Sequence, residues 1–325
     1  MDEVIAEISM KPKLTVIMSA YNSSETIERA ISSILNQSFS EFELIVLNDG
    51  SSDDTESKIL SFTDERIKYH LLDHGGLTKA LNIGISRAEA EIIVRHDSDD
   101  WSEKDRFETQ VKYFEDDEEL DLVASWHNVV TAAGDYLGLK TAPADDESLK
   151  RMLKWRNPFC HGSVAVRKSA LDRVGGYNEA LLYSQDYDLW LRMADAGIKF
   201  ACIPEPLYNY SISPDSIAKG WHKLGYAKNI RKSILDPDHH SAYFVTSIPN
   251  VGTRRTNSLW NYALGSLALE NGRRGQAFGY FFYSLLSDPR QWRALARLAA
   301  TLLPMVVINR LTAGAKKRLE TKDDN

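Results

Sequence analysis

Between residues 14 and 97 the chain alternates two hydrophobic patterns, and that alternation limits the folds open to it. Residues 14–20 (LTVIMSA) are an apolar run rich in β-branched residues and 42–48 (FELIVLN) a second, the pattern of buried strands, and 67–72 (IKYHLL) and 91–96 (EIIVRH) read as a third and a fourth strand. Between them Ile27, Ala30, Ile31, Ile34 and Leu35, and then Leu77, Ala80, Leu81 and Ile85, recur at helical spacing. Strands alternating with helices imply an α/β fold, a mostly parallel sheet flanked by helices. Ligands of such sheets bind beyond the C-terminal strand ends. Here those ends are polar: Tyr21-Asn22, Asp49, and Asp97-Ser98-Asp99-Asp100. Asn22-Ser23-Ser24-Glu25 has the spacing of a capping box, and Asp53 is placed to cap a helix starting near Thr55.

The rest of the chain is less regular. Residues 122–130 read as a fifth strand and 163–167 as another. A short helix over 168–174 leads into a Gly175-Gly176 turn. A helix over 186–196 turns Leu189, Met193 and Ala196 inward, and short strands follow around Pro204 and Pro206. Helical patterns return at 257–270, 275–287 and 290–310. The expected organisation is a tail over 1–12, an α/β domain over 13–240 and a helical region over 241–325.

Charge and composition exclude several classes. The net charge is −7, yet residues 273–325 carry 10 Lys/Arg against 4 Asp/Glu, so the remainder is near −13. An acidic body argues against nucleic-acid binding, which needs a basic face. Two cysteines without a CxxC pattern argue against a zinc module and for a reducing compartment. Met1–Pro12 has no apolar core of a secretory signal. Residues 298–309 are uncharged and apolar but only 12 long, short of the roughly 20 that span a bilayer. A cytoplasmic location is expected.

Four groups of residues carry chemistry. Asp97 and Asp99 flank Ser98 after a buried strand; a turn there aims both carboxylates at one hard cation, or is simply a solvated acidic turn. Asp49 can accept hydrogen bonds from a base or ribose, or close an Asx turn. Gly75-Gly76 with Lys79 can approach a phosphate, or merely start a helix. Asp186, at a helix start, is either a general base or an acid favoured by the helix N-terminus. His161 can face the same cleft or serve in packing. The absence of GxGxxG after the first strand and of GxxxxGK[ST] argues against a dinucleotide dehydrogenase and a P-loop NTPase.

Taken in order, these pieces resemble the family 2 glycosyltransferases, which have the nucleotide-diphospho-sugar transferase (GT-A) fold, Rossmann-like in its sheet. The matching stretches are LTVIMSAYN (14–22), the helix through ILNQS (34–38), FELIVLNDGSSDDT (42–55), GGLTKALNIGI (75–85), EIIVRHDSDDW (91–101), VGGYNE (174–179) and QDYDLWLR (185–192). The resemblance covers about residues 13–215 and implies roles by position. Ala20, Tyr21 and Asn22 would line a nucleoside pocket, and Asp49 would bind the base. Gly76 and Lys79 would lie beside the diphosphate, and Asp97 and Ser98 would contact the ribose or the metal. Asp99 would hold Mn²⁺ or Mg²⁺, and Asp186 would be the catalytic base. His161, Gln185 and Trp190 would lie on the acceptor side. Three positions depart from the family pattern. Ser19 stands for a usual proline and Gln185 for a usual Glu, and serines surround Tyr210 and Ile212 where an Arg and a His are common, a loss that Lys219 or His222 could make good.

The implied reaction is inverting transfer of a sugar from a nucleotide diphosphate, UDP by family habit, to a hydroxyl of a glycan or lipid-linked acceptor in cell-surface polysaccharide synthesis. A non-catalytic sugar-nucleotide-binding or scaffold protein on the same fold is the alternative. The helices after residue 255 lie outside the resemblance. Trp260, Tyr280, Phe281, Phe282, Tyr283 and Trp292 are interspersed with Arg273, Arg274, Arg290, Arg293 and Arg297. Over 257–287 the expectation is a small bundle that packs on the catalytic domain or makes a homodimer; over 290–319 the mixture suits either such packing or an anionic membrane surface, reached peripherally from the inner face.

Overall fold

The computed structural model describes residues 11–181, 183–212 and 253–301. The chain divides into two compact units, whose described parts are residues 11–212 and 253–301.

The first unit is built on one sheet. Strands β1 (Leu14–Ala20), β2 (Phe42–Asn48), β3 (Ile67–Leu71) and β4 (Ile92–Asp97) are parallel, in the order β3-β2-β1-β4. Helices α1 (Ile27–Leu35), α2 (Thr55–Leu60) and α3 (Leu77–Arg87) make the crossovers. Because β1 leads to β2 on one side and β4 returns on the other, the sheet changes direction between β1 and β4, where α/β sheets open a crevice. The register puts Ser19 opposite Asp97 and Ala20 opposite Asn48, so the three polar strand ends finish level with one another.

Beyond β4 the sheet is mixed rather than parallel. The two-residue β5 (Trp101–Ser102) leads to α4 (Arg106–Asp116), then β6 (Leu122–Thr131), β7 (Tyr136–Lys140), α5 (Asp146–Leu153), β8 (Ala165–Arg167), α6 (Lys168–Val174), α7 (Gln185–Asp195) and β9 (Phe200–Ile212). β8 runs antiparallel to both β4 and β6, whereas β6 and β9 are parallel. The short strands expected around Pro204 and Pro206 are one 13-residue strand; its pairing with β6 shifts register near Pro206, as expected where a proline cannot donate to the ladder. α7 ends at Asp195, so Ala196 is the exposed C-cap and not a core position.

Each face of the sheet has its own core. Ile17, Ile45, Leu47 and Ile93 pack under α3, Tyr177 and Trp190; Val16, Val46 and Val94 pack under α1 and α4. At Gly84, a Cβ would sit 2.7 Å from Ile17 and 2.9 Å from Leu47, so glycine lets α3 lie close on the sheet. At the edge away from the polar strand ends, Thr15 Oγ1 donates to Glu43 Oε1 at 2.6 Å. The Glu89 and Ala90 N–H groups bond to that same pair at 2.8 and 3.1 Å.

In the second unit, α8 (Thr253–Glu270), α9 (Arg274–Ser287) and α10 (Trp292–Thr301) share a core of Ala268, Leu269, Ala277, Phe281 and Ala294. Gly265 admits the Phe281 ring, which a Cβ there would meet at 2.7 Å. Phe281 is therefore buried and cannot serve an outer surface. Among the described residues no helix is long and apolar enough to cross a membrane.

Candidate active site

The loop after β1 does not form the expected capping box. α1 starts at Ile27 and has no side-chain cap. Instead Asn22, at φ 49°, turns the chain, and its Oδ1 accepts the Ser52 N–H at 2.8 Å. Asp53 does more than cap: one oxygen takes the Thr55 N–H and hydroxyl at 3.1 and 2.5 Å, and the other takes the Ser24 N–H at 3.1 Å. Burial works to raise the Asp53 pKa, but these bonds prevail and hold it far below the usual value. The loops after β1 and β2 are thus sewn together.

Asp49 is buried, and its carboxylate accepts the Gly75 and Gly76 N–H groups at 2.8 and 2.9 Å and lies 3.0 Å from His74 Nδ1. It anchors the turn that begins α3, where Gly76 has φ +88°. His74 in turn stacks on Tyr21, centroids 4.3 Å apart, leaving Tyr21 49% exposed. The pair is a flat aromatic surface beside the end of β1, of the kind on which a base can stack. Lys79 is exposed and folds over Gly75; a Cβ there would lie 2.7 Å from its Cδ.

The acids after β4 have different environments. Asp97 Oδ1 lies 2.5 Å from Arg95 Nη2. Burial would raise its pKa, but the Arg95 charge prevails and keeps it below the ordinary carboxylate value. Asp99 reaches solvent, and among the described residues no other side chain donates a hydrogen bond to its carboxylate. Crowding by protein atoms, then the neighbouring Asp97 charge, pushes it up to about 6. Asp100 is fully buried and serves architecture: it accepts the Tyr208 hydroxyl at 2.8 Å and the Ser211 N–H at 2.7 Å, tying β4 to β9. The same Tyr208 oxygen accepts the Asp97 N–H at 3.1 Å. Ser98 Oγ and Ser23 Oγ are 2.8 Å apart, joining this turn to the loop after β1.

Asp186 lies in the first turn of α7, behind the left-handed Ser184. Its Oδ2 accepts from Asn157 Nδ2 at 2.6 Å. Burial raises its pKa against the Tyr187 N–H and Asn157, and the Asp97 charge adds to the rise. A partly buried carboxylate with an elevated pKa is suited to take a proton. His161 Nε2 is 2.6 Å from the Tyr177 hydroxyl; burial, then Arg95, lowers its pKa to about 3, so it is neutral. Gln185 is partly buried at the start of the same helix.

One expected residue is elsewhere. Trp190 is 1% exposed, edge-on to Phe159 and facing the His161 ring at 6.2 Å. It is a core residue and offers no surface to a bound molecule. Lys219 and His222, named for a late closing contact, lie outside the described residues.

Several residues at the site were not anticipated: Arg95, Asp100, Asn157, His74 and Tyr208. The motifs that were noticed are also physically coupled. Asn82 of GGLTKALNIGI bonds the Tyr177 N–H and C=O at 2.9 Å each, and Arg192 of QDYDLWLR donates to the Val174 and Gly176 carbonyls.

With this geometry in hand, similarity to known proteins can be weighed. The profile described as "Glycosyl transferase family 2" matches residues 15–175. The O-antigen biosynthesis glycosyltransferase WbnJ of Escherichia coli is 31% identical over 211 residues, 63% of this chain and 82% of that one. The chain belongs to glycosyl transferase family 2. A second relative is the E. coli UDP-Gal:alpha-D-GlcNAc-diphosphoundecaprenol beta-1,3-galactosyltransferase, 30% identical over 214 residues, 63% of this chain and 76% of its own. Among solved structures, the mannosyltransferase PcManGT of Pyrobaculum calidifontis, in complex with GDP-Man and Mn²⁺, is similar with a TM-score of 0.54. It is 18% identical and covers 96% of this chain and 81% of its own, a likeness of fold. As a family 2 member, this chain is a glycosyltransferase with a GT-A type fold.

Proposed function

We propose that this glycosyltransferase moves a sugar from a nucleotide diphosphate donor, a UDP-sugar, to a hydroxyl of a lipid-linked or glycan acceptor, with inversion, during synthesis of a cell-surface polysaccharide. The observation that carries the reading is the grouping of carboxylates at the β1/β4 crevice. Asp97 is near enough to raise the pKa of both Asp99 and Asp186. Tyr21 stacked on His74 offers a base platform at the neighbouring strand end. Donor class and acceptor class are supported by the galactosyltransferase relative, whose name specifies UDP-Gal and a diphosphoundecaprenol-linked sugar.

A divalent cation fits the donor set as a shared ion. Among the described residues no group of three or more His, Cys, Asp or Glu converges to hold a metal by itself. Mg²⁺ and Mn²⁺ are commonly held by one or two carboxylates together with substrate phosphates. Asp99, which reaches solvent, and the Asp97 oxygen that Arg95 does not bond are the groups that would hold it. When bound, such an ion neutralises charge on the departing diphosphate. PcManGT is named with GDP-Man and Mn²⁺, which supports the same arrangement here.

The chain's own groups supply the rest. Asp186 takes the proton of the acceptor hydroxyl as that oxygen attacks the anomeric carbon and the diphosphate leaves. Asn157 fixes its orientation from one side. General-base help of this kind contributes about 10²–10⁴-fold. The second unit brings the enzyme to an anionic membrane. Phe278, Phe282, Tyr283 and Leu286 are exposed on α9, with exposed Arg290 following, and aromatic and basic groups together suit a charged interface.

Turnover of UDP-sugars with Mn²⁺ tests the proposal. Asp99→Ala and Asp186→Asn are both expected to abolish transfer, but only Asp99→Ala to weaken Mn²⁺-dependent UDP binding. Equal loss of UDP binding in both variants would contradict these roles. Thermal shift against UDP, dTDP and GDP, each with and without Mn²⁺, identifies the nucleotide.

A further inference from the structure

Arg95 occupies a position where a charge is expensive. It lies on β4, which is flanked by β1 and β8, opposite Ile17 in register. Side chains alternate along a strand, so Arg95 shares a face with Ile93 and Asp97. That face is the core containing Ile17, Leu47, Tyr177 and Trp190. Arg95 is 4% exposed. A buried, unpaired cation costs several kcal/mol, and an aliphatic side chain would serve packing better. Among the described residues only one nitrogen of its guanidinium has a partner: Nη2 bonds Asp97, while Nε and Nη1 have none. Packing therefore does not explain the residue, and its one bond goes to the first acid of the Asp97-Ser98-Asp99 turn.

We propose that Arg95 is a positioning residue of the transfer reaction, the internal counter-ion that fixes the Asp97 carboxylate at the crevice by one oxygen and leaves the other oxygen facing the donor. The geometry has two consequences. Asp97 enters the reaction already neutralised and oriented, so it acts as a directed hydrogen-bond or ion-contact group. Asp99, without such a partner, is the acid left to respond to donor binding. The nearby His161–Tyr177 pair is held neutral, so it does not supply the positive charge that Arg95 places beside Asp97. The inference rests on the donor-site reading above.

Two measurements test it. In the metal-free protein, thermal unfolding of Arg95→Met, Asp97→Asn and the double variant forms a cycle. Arg95→Met leaves a carboxylate without its counter-ion and is expected to lower Tm by about 6–12 °C. The double variant is expected to recover at least half of that loss, because both charges are gone. The second measurement is UDP affinity with Mn²⁺ and donor and acceptor KM. Arg95→Met is expected to weaken UDP binding about tenfold and raise donor KM while acceptor KM stays within about twofold. Arg95→Lys, which keeps the charge but not the fork, should recover part of the affinity. A role in stability alone would lower Tm without changing UDP affinity of the folded protein, and that result overturns the proposal, as does a double variant no more stable than Arg95→Met. If the parent protein itself binds UDP without regard to Mn²⁺, the cation in the donor-site reading fails, while the metal-free cycle still decides the Arg95–Asp97 pairing.

Discussion

Replacing Gly162 by alanine should damage the donor site from behind. The added Cβ would lie 2.0 Å from the Tyr208 hydroxyl oxygen, 2.3 Å from Cζ and 2.8 Å from Cε1. The ring cannot easily yield. Tyr208 is fully buried, its hydroxyl is engaged by Asp100 and the Asp97 N–H, and the Arg106 guanidinium lies 4.9 Å from the ring centroid. Gly162 itself sits in the single 3-10 turn His161–Ser163, whose Ser163 is also buried. Overpacking of this kind costs about 1–3 kcal/mol. Loss or distortion of the two hydrogen bonds adds about 1 kcal/mol each. The sum is about 4 kcal/mol, and at about 2–4 °C per kcal/mol for a unit of this size Tm should fall by about 8–16 °C. Differential scanning fluorimetry measures that fall, and donor KM should rise in the same variant because the Asp97 backbone loses its acceptor. Adding Tyr208→Phe removes the 2.0 Å contact but not the 2.3 and 2.8 Å ones, so recovery should be partial. A Gly162→Ala protein that melts within about 2 °C of the parent with unchanged donor KM would refute the idea that Tyr208 is a fixed strut.

Three further outcomes are expected. Burial raises the Asp186 pKa, so the ionised base is complete only above that raised value, and kcat should fall as pH drops through it. An acid limb at or below about pH 4, the ordinary carboxylate range, would contradict this assignment. Trp190→Phe should cost about 1–2 kcal/mol of stability through lost packing and leave acceptor KM unchanged, since the buried indole N–H has no partner among the described residues; a raised acceptor KM at unchanged Tm would return Trp190 to the acceptor side. Phe282→Ser with Leu286→Ser should reduce co-sedimentation with anionic vesicles without changing turnover of a soluble acceptor, and equal sedimentation would remove the membrane role from this helix face.

Most of the parallel half of the sheet was legible because β1, β2 and β4 are largely buried on both faces, so their sequence is nearly continuous apolar residue, whereas the edge strand β3 is only half-buried. The polar clusters at their ends were legible for the same reason, since such a cluster straight after an apolar run stands out. What followed Trp101 was harder. β8 is three residues long and β5 two, too short for periodicity, and their antiparallel pairing depends on partners over 60 residues away in β4 or more than 100 away in β9. Individual roles were hidden when a residue's partner was distant in the chain. Asp100 reads like its acidic neighbours until Tyr208 and Ser211 are brought to it. Trp190 reads as a binding residue in its motif, yet helical geometry turns it inward. Arg95 offered a signal, a cation within an apolar strand run, and only its burial makes the signal meaningful.

The Thr15–Glu43 pair, with the Glu89 and Ala90 amides on it, clamps the sheet at the edge opposite the chemistry. Side-chain identity there sets how β1, β2 and the entry to β4 slide past one another, so the alignment of the carboxylate-bearing ends is fixed by a chassis that never meets a sugar. An engineer seeking a new donor preference would therefore leave this distant clasp untouched.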